Sequence, residues 1–201
     1  MKWCRLSIIL MSLILLAGCM PLRQPSPSAD PQQTWQERQF ALQEIEDWNL
    51  SGRLAINAIK EAWTGTLRWT QRGDEFKILW LFPLGQGSVE LYGNPDRVTL
   101  RAPKEEPMIA TSAEELLGTR LGWSLPVSGL RYWLLGLPAP GLPVVKSSLD
   151  SFGRLLRLSQ GGWQIRYLDY KWIENFALPG KIFLEHPKLR LRLVIDHWQL
   201  G

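Results

Sequence analysis

Few side chains here could do chemistry, and their spacing argues against most of it. The two histidines, His186 before Pro187 and His197 close to the end of the chain, have no ligand partner at a metal-site spacing. Ser128, in Pro-Val-Ser-Gly-Leu, lacks the upstream glycine of a nucleophile elbow. Gly85-Gln86-Gly87 opens like a dinucleotide fingerprint, yet Glu90 stands at the third glycine and a strand-like pattern follows. Glu105-Glu106 and Glu114-Glu115 are adjacent acids suited to a polar turn and to the first turn of a helix, not to an acid–base pair. The expectation is a non-enzyme without metal or cofactor.

One cysteine has a more specific chemistry. Lys2 and Arg5 precede an apolar run from Leu6 to Leu16, and Leu16-Ala17-Gly18-Cys19 closes it, which is a secretory signal layout. From Leu6 to Gly18 the run is 13 residues, short of the roughly 20 that a spanning helix needs. Leu-Ala-Gly-Cys resembles the lipobox of bacterial lipoproteins. That resemblance implies a signal peptide over residues 1–18, cut before Cys19, and a triacylated Cys19 as the first mature residue. Cys4, the other cysteine, leaves with the signal, so no disulfide is expected. Multiple acyl chains hold a protein on a membrane almost permanently. Met20 occupies the position where lipoproteins retained in the inner membrane commonly carry Asp, so the resemblance points to the periplasmic face of the outer membrane.

Loss of Lys2 and Arg5 takes the basic residues from 23 to 21 against 19 acidic ones. That excess is too mild for a nucleic-acid binder. The nearest basic stripe, Lys188 to Leu193, alternates Arg190 and Arg192 with leucines as the polar face of a strand does. Residues 19–34, rich in Pro, Ser and Gln, read as a tether, and residues 35–201 as a single domain with a substantial core.

The elements follow from the periods. Trp35 to Trp48 reads as a helix, with Thr34 and Glu37 as a capping box and Trp35, Ala41, Leu42, Ile45 and Trp48 along one face. The period then becomes two: Leu50, Leu54 and Ile56 share a face, as do Trp63, Leu67 and Trp69, and then Phe76, Ile78, Trp80 and Phe82, with a hairpin at Gln71 to Asp74. More strands follow to Met108. Two short helices come next, capped at Ser112 and carrying Leu130, Trp133 and Leu134, before strands resume to the end. The fold predicted is mainly β with α: an incomplete antiparallel barrel, or strongly curved sheet, with an N-terminal helix and a mid-chain helical lid. Ten tryptophans remain after Trp3 is removed, and so many rings suit either the wall of an apolar cavity or a bulky core.

An apolar turn stands out. In Lys77 to Leu91 the strand's apolar residues run into Phe82-Pro83-Leu84-Gly85-Gln86-Gly87, where a turn is normally polar. Together with Gly52 to Ile56 (GRLAI), Pro83 to Gly87 (PLGQG), Leu121 to Val127 (LGWSLPV), Tyr132 to Pro138 (YWLLGLP) and Gly162 to Tyr167 (GWQIRY), the chain from about Trp35 to Leu200 resembles the LolB family. The resemblance implies a monomeric outer-membrane receptor. It would take triacylated lipoproteins from the periplasmic carrier LolA into an acyl-chain cavity and insert them in the outer membrane without nucleotide hydrolysis. It also implies a protruding membrane-insertion loop at Phe82, Pro83 and Leu84, with Leu84 at the tip.

The period-two pattern assigns the cavity wall to Trp63, Leu67, Trp69, Phe76, Ile78, Trp80, Val89 and Leu91, with Trp133 and Leu134 from the lid. A shift of one residue would exchange the whole set. Arg53, Arg190 and Arg192 are expected to steer an acidic carrier toward the cavity. Two other readings of the same features are a lipid-anchored docking subunit of an outer-membrane assembly and a binder of a small apolar ligand.

Overall fold

The alternation of apolar and polar residues builds one antiparallel sheet of eleven strands. The computed structural model describes residues 26–58, 61–121 and 125–201. The signal segment, Cys19 and the first part of the tether lie outside these residues, as do Gly122 to Ser124 within LGWSLPV. The strands are β1 (Trp48–Ala58), β2 (Ala62–Arg72), β3 (Glu75–Leu81), β4 (Ser88–Gly93), β5 (Val98–Arg101), β6 (Met108–Ala110), β7 (Val144–Leu149), β8 (Leu155–Gln160), β9 (Trp163–Ile173), β10 (Phe176–His186) and β11 (Leu189–Leu200). Their order across the sheet is β6-β5-β4-β3-β2-β1-β11-β10-β9-β8-β7. β6 and β7 are free edges, so the barrel is incomplete, as the sequence predicts.

Sheet curvature needs local irregularity, and β1 supplies some of it. The register of β1 on β11 shifts between Ser51 and Gly52. A Cβ at Gly52 would stand 2.2 Å from the carbonyl oxygen of Val194, so only glycine admits this approach. The hairpins define two ends. The β1–β2, β3–β4, β8–β9 and β10–β11 turns share one end, called the upper end below, and the β2–β3, β7–β8 and β9–β10 turns share the other.

Three helices among the described residues face the sheet: α1 (Pro31–Gln43), α2 (Ala113–Leu121) and α3 (Val127–Leu135). The start of α1 corrects the expectation from sequence. Asp30, not Thr34, is the cap, accepting from the backbone N–H groups of Gln32 and Gln33 at 2.9 and 3.1 Å, with Pro31 at the first helical position. Its end differs too: the helix stops at Gln43, and Trp48 is the first residue of β1. Trp48 is buried at one end of a strict alternation with Leu50, Leu54 and Ile56, so the strand claims it. α2 is capped as predicted, with Ser112 Oγ accepting from the N–H of Glu115 at 3.1 Å.

The helices fill the two halves of the concave face unequally. Over β8–β10 the interior is solid. Trp133 and Leu134 of α3 are fully buried there, with Trp133 and Trp163 ring centroids 6.1 Å apart. Polar atoms in this half are matched in detail. Gln160, fully buried, accepts from the indole N–H of Trp133 and the backbone N–H of Ala139, both at 2.8 Å, and donates to the carbonyls of Ala139 and Leu142, both at 2.9 Å. The hydroxyl of Tyr167 donates to the carbonyl of Trp133 at 3.0 Å, and that of Tyr170 to Leu155 at 2.7 Å. Burial pushes both phenols well above their ordinary range, so they stay protonated donors. The exit of α3 is thereby pinned to the sheet. Gln160→Leu should strand buried groups on Trp133, Ala139 and Leu142 and cost about 3–5 kcal/mol. A urea denaturation series checks this, and a loss under about 1 kcal/mol would show that the network is dispensable.

Candidate functional site

Over β1–β5 the interior is hollow. An apolar cavity of about 150 Å³ lies between the upper parts of these strands and α2. Its walls come from Leu54 and Ile56 of β1, Trp63 and Leu67 of β2, Ile78 and Trp80 of β3, Val89 and Leu91 of β4, and Leu100 and Ala102 at the end of β5. Leu117 of α2, Leu125 and Val127 cover it, and Phe82 closes the upper end. All its lining side chains are apolar; the indole N–H of Trp80 is buried with no hydrogen-bond partner among the described residues.

Six of the ten cavity residues expected from sequence line this space: Trp63, Leu67, Ile78, Trp80, Val89 and Leu91. The other four stand elsewhere. Trp69 lies in the core against Trp48, ring centroids 5.5 Å apart, with its indole N–H on Gln71 Oε1 at 3.0 Å. Phe76, at the lower end of β3, lines a separate cleft with Trp69 and the start of α2. Trp133 and Leu134 belong to the solid half. Alternation identifies the face a residue shares, but not its height along the strand, and the cavity takes only the upper part. Leu54 and Ile56 carried the same period-two signal, and Phe82 continued the inward face of β3. Leu117 and Leu125 depend on how the lid sits, for which the sequence holds no signal.

The apolar turn adjoins this cavity. Phe82 stacks on Trp80 with ring centroids 4.9 Å apart, and Pro83–Gly85 form a single 3-10 turn. At its tip Leu84 is 96 % exposed, more than any other large apolar side chain described. Its backbone is left-handed, φ 56° and ψ 28°, a conformation that costs a non-glycine residue about 1–2 kcal/mol. Gly85 and Gly87 are also at positive φ, 72° and 104°, which glycine tolerates freely. A leucine held strained and unpacked in water is not there for stability.

Arg53, Arg190 and Arg192 project from the convex face, alternating with the buried Leu54, Leu189, Leu191 and Leu193. Among the described residues no three His, Cys, Asp or Glu side chains cluster for a metal, and no helix is long and apolar enough to cross a membrane.

An open antiparallel sheet curled round an apolar cavity beneath short helices defines a LolA-type fold. A LolA superfamily protein from Nitrosomonas europaea superposes with a TM-score of 0.53 at 10 % identity, covering 88 % of this chain and 94 % of its own. A putative outer membrane lipoprotein-sorting protein domain from Vibrio parahaemolyticus gives 0.53 at 12 % identity, covering 85 % and 92 %. Sequence narrows the class. The family model "Outer membrane lipoprotein LolB" matches residues 46–198. Outer-membrane lipoprotein LolB of Stutzerimonas stutzeri is 42 % identical over 188 residues, covering 92 % of this chain and 91 % of its own. The LolB protein of Coxiella burnetii (strain RSA 493) is 34 % identical over 193 residues, covering 95 % and 91 %. This chain belongs to the LolB family.

The cavity's shape depends on Gly65. A Cβ there would stand 2.3 Å from the carbonyl oxygen of Leu81 and 2.6 Å from Nε1 of Trp80. Gly65→Ala should push the indole into the cavity, cost about 1–3 kcal/mol and reduce uptake of an apolar probe such as N-phenyl-1-naphthylamine. Unchanged melting and unchanged probe fluorescence would show that Trp80 has room to spare.

Proposed function

We propose that this chain is a lipid-anchored receptor at the periplasmic face of the outer membrane. It accepts triacylated lipoproteins from a periplasmic carrier of the LolA type and inserts them into the inner leaflet. Cys19 carries the anchor, the segment between it and the Asp30 cap of α1 supplies the tether, shorter than the 19–34 expected from sequence because the helix starts at Pro31, and no nucleotide is hydrolysed. The observation that carries this reading is one continuous apolar path, from the cavity over Trp80 and Phe82 to the exposed Leu84.

Physical chemistry supports a covered route. Moving an acyl chain of about 16 carbons through water costs on the order of 12 kcal/mol at ~0.8 kcal/mol per methylene. A cavity of about 150 Å³ holds a group of benzene size. Acyl chains therefore need the lid to move. α2 is the movable part. Its tie to α3 is through Glu114, whose Oε1 accepts from the N–H and hydroxyl of Ser128 at 3.0 and 2.8 Å, whereas the exit of α3 is held by Gln160 and Tyr167. Cargo passes to the receptor because the opened cavity binds its chains better than the carrier does, and onward because the bilayer binds them better still.

A transfer assay tests the reading, using carrier-bound lipoprotein, outer-membrane vesicles, wild type, Leu84→Glu and Leu84→Gly. Both variants should still take cargo from the carrier and leave it uninserted. Leu84→Gly should also unfold at slightly higher urea, because it relieves the left-handed strain. Normal insertion by both variants would make Leu84 a passive turn residue. Failure of wild type to take cargo would remove the receptor assignment and favour the docking-subunit reading.

A further inference from the structure

A second recess shares the upper end of the sheet with the apolar turn, on the convex side. It is a groove of about 410 Å³ running over β11, β1 and β2 to the end of β3, and its lining includes Arg53, Arg192, Thr64, Thr66 and Pro83. Unlike the cavity, it sets charged and hydroxyl side chains among its apolar lining. Val194 faces Arg53 and Ala55 faces Arg192 across the β1–β11 ladder. The two arginines are thus diagonal neighbours on one face; their guanidinium groups rest on Asp196 and over Phe183, and both must swing from these contacts to hold a single anion. Thr64, opposite Ala55, and Thr66, opposite Arg53, extend the same rows onto β2 with exposed side chains.

The charge of the groove is unbalanced. Arg53 shares Asp196 at 3.2 Å, where both side chains are largely in water, so the pair is weak and exchangeable. Arg192 has no carboxylate partner among the described residues and lies over the Phe183 ring at 5.3 Å. Arg166 and Lys181 also lie over that ring, at 5.4 and 5.6 Å, so cations continue across β10, with Glu185 paired to Arg166 at 3.7 Å. A basic recess with free hydroxyls, ending on the proline of a protruding apolar turn, has the layout of a headgroup site beside an acyl contact.

We propose that the Arg53–Arg192 groove binds the phosphate of an anionic phospholipid and thereby fixes the angle at which Leu84 enters the bilayer. This rests on the reading of Leu84 as the membrane-contact tip and adds to it a second, polar contact with a defined lipid class. Arg192 and Arg53 hold the phosphate oxygens, Thr64 and Thr66 donate to the phosphate or glycerol, and the acyl chains run down past Pro83 into the leaflet. The convex arginines then serve the membrane, not the carrier.

The test uses the full lipidated chain in vesicles, with Leu84→Cys carrying an environment-sensitive dye. Vesicles of phosphatidylethanolamine alone are compared with vesicles containing one-third phosphatidylglycerol. The groove predicts deeper dye insertion with phosphatidylglycerol. Arg53→Gln/Arg192→Gln should weaken that response about tenfold, two surface arginines being worth at most ~30-fold together and Arg53 already sharing a carboxylate. Lys146→Gln/Arg157→Gln, which removes equal charge from β7 and β8, should leave the response intact. Millimolar inorganic phosphate should not compete, since the site reads phosphate at a membrane surface. Equal losses in both double variants would reduce the effect to diffuse attraction and overturn the site. Competition by inorganic phosphate would make it a free-anion site. Dye insertion that ignores lipid charge would overturn the groove while leaving Leu84 as the tip. No insertion in any vesicle would remove the tip assignment and the groove with it.

Discussion

The concave face of an eleven-stranded open sheet is apolar along its length, and three short helices are all the described chain has to cover it. Everything else follows from that shortage. α1 and α3 are spent on β7–β10, where large side chains and the Gln160 network complete a solid core. Only α2 and the first turn of α3 remain for β1–β5, and they roof the strands without filling the space beneath. A hollow next to a solid half is a division of labour in the proposed function: one half holds the fold while the other would open. Because the exit of α3 is held to the sheet by Gln160 and Tyr167, the proposed opening of α2 would leave those ties in place.

Strain at the turn belongs to the same economy. Leu84 accepts a left-handed backbone and full exposure, both of which lower stability, and it sits at the end of the sheet where the cavity lies. Its neighbour Phe82 is half in the cavity wall, so the apolar surface does not break between interior and tip. On the other side of the sheet the same end is basic. The exposed apolar tip and the arginine groove therefore converge on one edge of the molecule, the geometry that the proposed transfer of lipid into a leaflet would require.

Much of this was legible in the residues. Period-two alternation in β1 to β4 placed Trp63, Leu67, Ile78, Trp80, Val89 and Leu91 on the inward face, and the order of strands, two helices and strands again gave the lid. Height along a strand was not legible, since it depends on where distant helices dock, and so Trp69, Phe76, Trp133 and Leu134 were assigned to a cavity they do not reach. The start of α1 was misjudged because two capping signals overlap, Asp30-Pro31 and Thr34 with Glu37, and the earlier one also sets Pro31 at its favoured position. The convex groove was invisible as a site: Arg53 and Arg192 are 139 positions apart, and only the β1–β11 ladder brings them side by side.

The most direct measurement of the central claim, that acyl chains occupy the hollow half, is photo-crosslinking. A triacylated lipopeptide with a diazirine on one acyl chain is loaded from the carrier, irradiated before membranes are added, and mapped by mass spectrometry. The account predicts adducts on Leu67, Leu91, Leu100 and Leu117, which face one another across the cavity. Adducts confined to the convex face, or to the Trp133–Trp163 side of the sheet, would contradict it.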